Sequence, residues 1–377
     1  MFELRESQDA LARLEAWLES QGFFVPGGED LVADVFLGYG LSREIRRDRS
    51  PAPPEPCALP LVAAVVRSDN YDTGDAIDTE IHIGEWERTW AQSDYEAAVV
   101  SVREAIARGD VYQVNLVQHL SAPFAGDPGS IASRLASLTQ PSRLPFADER
   151  WRLLHGDGWA IVSATPELFV ARRGDRVWTA PIKGTRPAGS ADELRASAKD
   201  AAEHEMIVDL ERNDLSRVCV HGTVRWPELM TVRRMAGVEH MVSTVEGTLR
   251  PGVGLGELLA AMFPGGSVTG APKIAAVDLI AGLEPVGRGA SMGAIGRVRG
   301  NGDLEFALTI RTFAVAEGRI HLWVGGGIVW DSDPASEVEE SWTKADPLLH
   351  ALDAPTPGSS ARGSPASVTP ASEVVAS

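Results

Sequence analysis

The sequence of 377 residues contains no long uninterrupted hydrophobic run and only two cysteines, Cys57 and Cys219. No segment approaches the roughly 18 consecutive apolar residues that a transmembrane helix requires, so we expect no membrane segment. The N-terminal segment is charged and lacks the apolar centre of a secretion signal. Two distant cysteines without a CxxC pair are typical of a reduced protein, which predicts a cytoplasmic location.

Basic segments are also scarce. Lys and Arg total 35 against 53 Asp and Glu, giving a net charge of -18, and the only short basic stretch is 43–49. Nucleic-acid binding needs a basic face that neutralises phosphates, so we expect no nucleic-acid partner. Hydrophobic residues make up 44% of the chain, which is enough for a large buried core.

Composition divides the chain into three parts. Residues 1–85 are interrupted by the proline-rich stretch 51–56, which predicts a loop, and we interpret them as an N-terminal portion of the fold. Residues 86–353 are dense in helix and strand periodicity and are predicted to form the main folded domain. Residues 354–377 are rich in Ser, Pro and Ala, which predicts a disordered tail.

The periodic segments predict a mixture of helices and adjacent strands. A helix is expected from Ser93 to Gly109, followed by a strand at 111–120 with one apolar face and one polar face. Further strands are predicted at 159–171, 176–182, 304–315 and 319–329, and further helices at 192–212 and 272–283. Because the strands occur in runs, an α+β fold with antiparallel sheets is favoured over a doubly wound fold.

A glycine-rich segment, FPGGSVTGAPK, occupies residues 263–273. It has the glycine spacing of a phosphate-binding loop, but Ala271 stands where that loop requires Lys, so a nucleotide site is excluded. Free backbone N–H groups at the start of the following helix suit a carboxylate as well as a phosphate. A simple tight turn explains the same glycines.

Two pairs of acidic residues have helical spacing. Asp200 and Glu203 lie three residues apart, as do Glu337 and Glu340, so each pair shares one face of a helix. If the two pairs converge, four carboxylates require a cation, and all-oxygen ligation favours Mg2+. Taken separately, each pair is better explained as a solvated acidic face, because acidic helix faces are common.

Arg311 lies in an apolar run predicted to be a strand, where a cation is costly unless it is paired. A bound anion or a salt bridge is therefore expected at Arg311. Lys183 follows an apolar strand, and Glu167 follows a proline in another. These two residues indicate no function on their own.

Nine segments taken together resemble the chorismate-binding enzymes, which comprise anthranilate synthase, aminodeoxychorismate synthase and the isochorismate-type synthases. They occur in the family's order within residues 94–349: GDVYQVNL, SATPELF, PIKGTRP, AEHEMIVDLERNDLSRV, HMVSTVEG, FPGGSVTGAPK, GAIG, IRTF and GGGIVWDSDPASEVEESWTKA. The resemblance implies that residues 86–353 are the chorismate-binding catalytic domain, with the anthranilate synthase component I-like fold. In this α+β fold, two large antiparallel sheets pack as a sandwich with helices outside.

The resemblance also implies roles for the acidic pairs. Glu203 and Glu340 match direct Mg2+ ligands, with Asp200 and Glu337 supporting through water. Chorismate is a dicarboxylate, so the metal would join its ring carboxylate to an otherwise repulsive acidic site.

The remaining site residues follow from the same resemblance. Glu167 matches a general acid for loss of the C4 hydroxyl, and His240 matches a histidine that orients the ring. Substrate contacts are expected at Gly184, Thr185, Thr269, Gly270, Arg311, Gly325, Gly326, Gly327 and Lys344.

Two positions distinguish the branches of the family. Gln113 stands where the water-using synthases carry a Lys, and an amide cannot act as a general base. Lys183 stands where anthranilate synthases carry Ala, and the resemblance implies that it attacks ring C2 before ammonia adds at C4. Ammonia is expected from a glutamine amidotransferase partner, because neither cysteine lies in the sharp glycine-rich turn that a glutaminase nucleophile requires.

Two alternatives stay open. The first is anthranilate synthase component I, which aminates chorismate at C2. The second is a non-catalytic chorismate-binding subunit, for which the one supporting feature is Ser291, at a position where many relatives have a substrate-contacting Tyr.

Overall fold

The structure is a computed structural model that describes residues 1–68, 79–138, 152–235 and 238–354. The predicted disordered tail, apart from Ala354, lies outside the described residues. Within the described part, no helix combines the length and the apolar character needed to cross a bilayer.

Eighteen strands occur in the described residues. In chain order they are β1 (Phe2–Leu4), β2 (Leu31–Leu37), β3 (Val62–Ser68), β4 (His82–Ile83), β5 (Glu87–Arg88), β6 (Gln113–Ala125), β7 (Leu153–Gly156), β8 (Trp159–Ser163), β9 (Leu168–Arg173), β10 (Arg176–Ala180), β11 (Ile182–Pro187), β12 (Arg225–Met235), β13 (Val238–Thr248), β14 (Gly270–Ala271), β15 (Ala294–Arg299), β16 (Leu304–Leu308), β17 (Thr312–Ala316) and β18 (Arg319–Ile328).

Eight α-helices accompany the strands in the same described residues. They are α1 (Ala10–Ser20), α2 (Gln92–Ala107), α3 (Pro128–Leu135), α4 (Ala191–Ala196), α5 (Ala198–Ser216), α6 (Leu255–Met262), α7 (Lys273–Leu283) and α8 (Pro334–Ala351).

The larger sheet has ten strands in the order β1-β3-β2-β15-β16-β9-β10-β13-β11, with β12 also paired to β13. The first three strands of the chain therefore join the same sheet as strands from its C-terminal half. Ala294 of β15 pairs with Leu37 of β2 on one side and with Leu308 of β16 on the other. All of these pairings are antiparallel, so the sheet is assembled from distant parts of the sequence.

The smaller sheet has eight strands, with the order β14-β6-β18-β17-β8-β7 and with β4 and β5 also paired to β6. Its longest ladder joins β6 and β18, from Arg319 opposite Pro123 to Ile328 opposite Val114. The main apolar core includes Val35 and Phe306 from the larger sheet and Val117 and Ala314 from the smaller one. The predicted α+β fold with two antiparallel sheets is thus confirmed.

Two segments that were each predicted to form one continuous strand instead form two strands. The segment 159–171 forms β8 and β9, and the segment 304–315 forms β16 and β17, with the two halves in different sheets. Arg311 lies in the connection between β16 and β17 with φ 50, a left-handed backbone. The alternation of side chains with a period of two residues identifies the two faces of a strand, but it does not show which sheet the strand joins. A change of sheet within an alternating segment is therefore not visible in the sequence.

One predicted helix also needs correction. The helix expected at 192–212 is broken at Ser197 into α4 and α5, and the Ser197 side chain caps α5 by accepting from Asp200 N. The polar face predicted for this first long strand, β6, is buried as well, since Gln113 and His119 are both buried. Because both faces of β6 are covered, its polar side chains point into the protein.

Candidate active site

The two chain connections between the sheets lie side by side. Glu167 immediately precedes β9, and Arg311 immediately precedes β17. The N–H of Leu308 donates to the carbonyl of Glu167 at 3.0 Å, and the N–H of Ala164 donates to the carbonyl of Arg311 at 3.0 Å. An acidic and a basic residue are therefore held together where the chain passes twice between the sheets.

The Glu167 carboxyl is buried and hydrogen-bonded. Ser267 Oγ donates to Glu167 Oε1 at 2.7 Å, and the backbone N–H of Ile182 donates to the same carboxyl. Burial raises the pKa of Glu167, although these donors and the charges of Lys183 and Arg311 oppose the rise. A carboxyl with a raised pKa retains its proton more readily, as a general acid must.

Lys183 is the second residue of β11, opposite Met241 of β13, and is half-buried. Its positive charge lowers the pKa values of Glu167, Glu203 and Glu340. Lys183 is therefore within electrostatic range of both the buried acid and the acidic residues of α5 and α8.

His240 lies on β13 and is buried. Its Nδ1 is 3.2 Å from the carbonyl oxygen of Gly184. Burial lowers the pKa of His240, and the charge of Arg311 lowers it further. Gly184 has φ 61, and a Cβ there would lie 2.5 Å from Leu194 Cδ1, so this turn requires glycine. The Thr185 side chain lies outside the described residues.

The first acidic pair lies near the start of α5. Asp200 Oδ2 accepts from Arg186 Nη2 at 2.7 Å. Burial raises the pKa of Glu203, and the negative charges of Asp200 and Glu340 raise it further. This effect of Glu340 on Glu203 means that the predicted direct ligands on α5 and α8 are electrostatically coupled.

The second acidic pair lies at the start of α8, against the glycines of β18. Lys344 Nζ is 2.7 Å from Glu340 Oε1 and donates to the Gly325 carbonyl at 2.9 Å. A Cβ at Gly326 would lie 3.3 Å from Glu337 Oε2, 3.3 Å from Lys344 Nζ and 3.4 Å from Glu340 Oε1. Three charged groups therefore converge on the space that the absent side chain of Gly326 leaves.

The donor chemistry of these acidic residues suits Mg2+, which prefers carboxylate oxygens. Burial raises the pKa of Glu337, and the negative charge of Glu340 raises it further. Burial likewise raises the pKa of Glu203. A cation would relieve this accumulation of negative charge. In the described part of the chain, however, no group of three or more His, Cys, Asp or Glu is placed as metal ligands. The four-carboxylate site therefore stays a prediction.

The glycine-rich segment packs against the start of β6. Asn115 N donates to the Thr269 carbonyl at 2.8 Å, and Thr269 Oγ1 donates to the Gly265 carbonyl at 2.7 Å. Gly270 pairs with Val114, and a Cβ on Gly270 would lie 2.1 Å from the Gln113 carbonyl oxygen. The close approach of the two backbones explains the glycine at position 270.

The Gln113 side chain lies between this segment and β18. It is completely buried, and neither Nε2 nor Oε1 has a hydrogen-bond partner within the described ranges. A Cβ on Gly327 would lie 2.2 Å from Gln113 Nε2. The amide thus occupies space that the glycine leaves, with its donor and acceptor unused by protein groups.

The sequence alone did not identify two residues that lie near Glu167. Ser267 lies within the glycine-rich segment, but nothing in that segment reveals a contact with Glu167. Glu211 of α5 is buried, and the negative charge of Glu167 helps raise its pKa. The charged residues around Glu211 in the sequence do not indicate that its side chain faces the interior. Ser291, in turn, is fully buried and donates to the Thr309 carbonyl at 3.3 Å.

The chain is similar in sequence to known proteins. The family described as chorismate binding enzyme matches residues 62–350. The chain is 39% identical over 332 residues to anthranilate synthase component 1 of Streptomyces coelicolor, covering 86% of this chain and 60% of that protein. It is also 39% identical over 277 residues to aminodeoxychorismate synthase component 1 of Escherichia coli, covering 71% and 60%.

Among solved structures, the chain resembles anthranilate synthase component I of Streptococcus pneumoniae. The TM-score is 0.77 at 25% identity, and the match covers 92% of this chain and 89% of that one. The match to the Streptomyces and Escherichia proteins, by contrast, spans 60% of their length.

Proposed function

This chain belongs to the chorismate binding enzyme family, and we propose that it aminates chorismate at C4 to give 4-amino-4-deoxychorismate, on the route to p-aminobenzoate. The observation that carries the proposal is the position of Lys183. Its charge acts on the buried acid Glu167 and on the carboxylates Glu203 and Glu340. The Lys183 amine can therefore act as the nucleophile while Glu167 acts as the proton donor.

The proposed reaction has two displacements. In the first, Lys183 Nζ bonds to ring C2, the two ring double bonds shift, and the C4–O bond breaks. The Glu167 proton goes to the departing hydroxyl, which leaves as water. In the second, ammonia bonds to C4, the double bonds shift back, and the C2–Lys183 bond breaks. The proton lost from the new ammonium group returns to Glu167, so the acid is regenerated.

The substrate is held by its two carboxylates in this proposal. Arg311 is the cation beside Glu167, and the backbone around Thr269, Gly270 and the β18 glycines surrounds the ring. Glu203 and Glu340, supported by Asp200 and Glu337, would hold Mg2+. When bound, Mg2+ would supply positive charge that offsets the repulsion between the acidic site and the substrate's carboxylates. Gln113 offers an amide, which cannot deprotonate water, and this favours ammonia as nucleophile.

Ammonia is proposed to come from a glutamine amidotransferase partner. Cys57 and Cys219 are both free and buried, and burial raises their pKa values to about 12 and about 11. Such thiols are poor candidates for a glutaminase nucleophile, because the thiolate is the reactive form. That two relatives are each described as component 1 supports a second component here.

Amination at C2 to anthranilate is the second candidate function. It is favoured by the match to the Streptomyces anthranilate synthase component, which covers 86% of this chain. The two reactions differ in whether Lys183 or ammonia attacks C2, so product identity separates them.

The test is product analysis of the purified chain with chorismate, Mg2+ and ammonium at mildly alkaline pH. Wild type is expected to give aminodeoxychorismate, which an added lyase converts to p-aminobenzoate, and Lys183→Ala is expected to stop its formation. Lys199→Ala is the matched control, because Lys199 also acts on Glu203 and Glu340 but is not the proposed nucleophile. This control should keep the wild-type product. Anthranilate from wild type, or aminodeoxychorismate from Lys183→Ala, would refute the C4 assignment.

A further inference from the structure

Arg288 is a fully buried cation outside the residues assigned to the site above. It lies between α7 and β15, and its residue is 1% exposed. A buried guanidinium is costly unless all of its donors are used. Its partners therefore show what this arginine holds in place.

The first partner is Glu284, four residues earlier, immediately after the end of α7. Arg288 Nε donates to Glu284 Oε2 at 2.8 Å, and Nη2 donates to Oε1 at 2.7 Å, forming a two-pronged ion pair. The guanidinium carbon also lies 4.6 Å from the centre of the Tyr39 ring. The pair is thus neutralised internally and fixed in orientation.

The other donors reach two separate backbone segments. Arg288 Nη1 donates to the Val268 carbonyl at 2.8 Å, and Nη2 donates to the Asn115 carbonyl at 2.6 Å. Val268 precedes Thr269 in the glycine-rich segment, and Asn115 lies two residues after Gln113 on β6. One side chain therefore bridges the two segments that form this side of the site.

Glu284 extends the same bridge. Its Oε1 accepts from the N–H of Val117 at 3.0 Å, so both members of the ion pair contact β6. The direct bond between the segments, from Asn115 N to the Thr269 carbonyl, lies beside these contacts. The ion pair therefore fixes the separation and register of the glycine-rich segment against β6.

We propose that Arg288, oriented by Glu284, is a positioning residue that holds Thr269 and Gly270 in register with β6, beside Gln113, for chorismate binding. The proposal rests on the proposed function only in taking chorismate as the ligand of this site. An arginine is required because its planar fork serves a carboxylate and two carbonyls at once, whereas the compact ammonium of Lys has three donors on a flexible stem.

The experiment compares Arg288→Lys with the double variant Glu284→Gln/Arg288→Met, which removes both charges at similar volume. Arg67→Lys is the matched control, because Arg67 makes a two-pronged pair with Asp34, at 2.6 and 3.1 Å, on β2 and β3. For each protein one measures Tm, KM and kcat for chorismate consumption with ammonium, and chorismate binding by equilibrium dialysis.

Both Arg288 variants are expected to raise KM and the dissociation constant for chorismate by roughly tenfold or more, the effect of losing a charge-assisted hydrogen bond. Arg67→Lys should lower Tm without changing either constant. Unchanged binding in a folded Arg288 variant would overturn the proposal. So would a failure of both Arg288 variants to fold while Arg67→Lys folds, because the role would then be purely structural.

This outcome is independent of which carbon is aminated. If wild type makes anthranilate, the proposed function fails, but the ratio of variant to wild-type chorismate binding still tests Arg288. If wild type does not bind chorismate at all, both proposals fail together, and dialysis of the wild-type chain shows this first.

Discussion

Ser267 Oγ donates a hydrogen bond to Glu167 Oε1 at 2.7 Å inside the protein. This contact joins the glycine-rich segment to the buried acid at the crossing between the two sheets. It favours the ionised carboxylate, whereas burial favours the protonated acid, so Ser267 tunes how readily Glu167 gives up its proton.

Ser267→Ala should raise the pKa of Glu167, since it removes a donor that stabilises the charged form. If protonated Glu167 is the general acid, the alkaline limb of the kcat/KM profile should move to higher pH. The measurement is a pH–rate profile from pH 6 to 10 for both proteins. Ser130→Ala, a buried serine on α3, is the control and should leave the limb in place. An unshifted limb in Ser267→Ala would exclude Glu167 as the group that controls it.

Glu211→Gln should make stability less dependent on pH. Burial raises the pKa of Glu211 well above its usual range, and Thr179 donates to it at 3.1 Å. Above about pH 4.3 the unfolded chain ionises Glu211 while the folded chain keeps its proton, so wild-type stability falls as pH rises. The variant removes this loss and should have the higher Tm at pH 8, with little difference near pH 4.5.

Thermal melts at half-unit steps between pH 4.5 and 8 measure this difference. Glu257→Gln is the control, because Glu257 is half exposed and pairs with Arg250 at the surface. A Tm difference between Glu211→Gln and wild type that stays constant across the range would contradict a protonated Glu211.

Glu203→Gln and Glu340→Gln should each raise the Mg2+ concentration needed for half-maximal activity by about tenfold or more, since each removes a proposed anionic ligand. Activity is measured while MgCl2 is titrated into protein treated with a chelator. Asp209→Asn is the control on the same helix as Glu203, because Asp209 pairs with Arg212 and is 70% exposed. Full activity of wild type without Mg2+ would rule out the magnesium site.

The buried histidines should make the fold sensitive to acid. His119 Nε2 and His321 Nδ1 are 3.0 Å apart, and burial lowers their pKa values to about 3 and about 4. Below about pH 6.5 the unfolded chain takes up protons that the folded chain excludes, so stability falls with falling pH until the folded-state values are reached.

The double variant His119→Gln/His321→Gln should therefore lose less stability than wild type between pH 7 and pH 4.5. Denaturant melts at fixed temperature across that range give the two slopes. Replacement of the surface residue His155 should leave the wild-type slope unchanged. Parallel slopes for the double variant and wild type would show that these histidines are not the acid-sensitive groups.

Local patterns in the sequence identified much of this molecule. The α2 periodicity carrying Tyr95, Val99 and Val102 forms a helix with those side chains buried, because burial of one apolar stripe is a local property of spacing. The runs of adjacent strands predicted the antiparallel α+β fold, and the ordered motifs identified the family. The site residues assigned by resemblance stay predictions, and the charges of Lys183 and Arg311 both act on the buried Glu167 carboxyl.

Only the tertiary structure decided which strand belongs to which sheet. The sequence by itself determined where apolar and polar residues alternate, since that depends on the backbone period alone. It did not reveal that the chain changes sheets beside Glu167 and Arg311, or that α5 turns Glu211 inward. Nor did it show that Arg288 joins Val268 to Asn115. These relationships connect residues far apart in the chain, and such contacts form only when the sheets pack and exclude water from the groups between them.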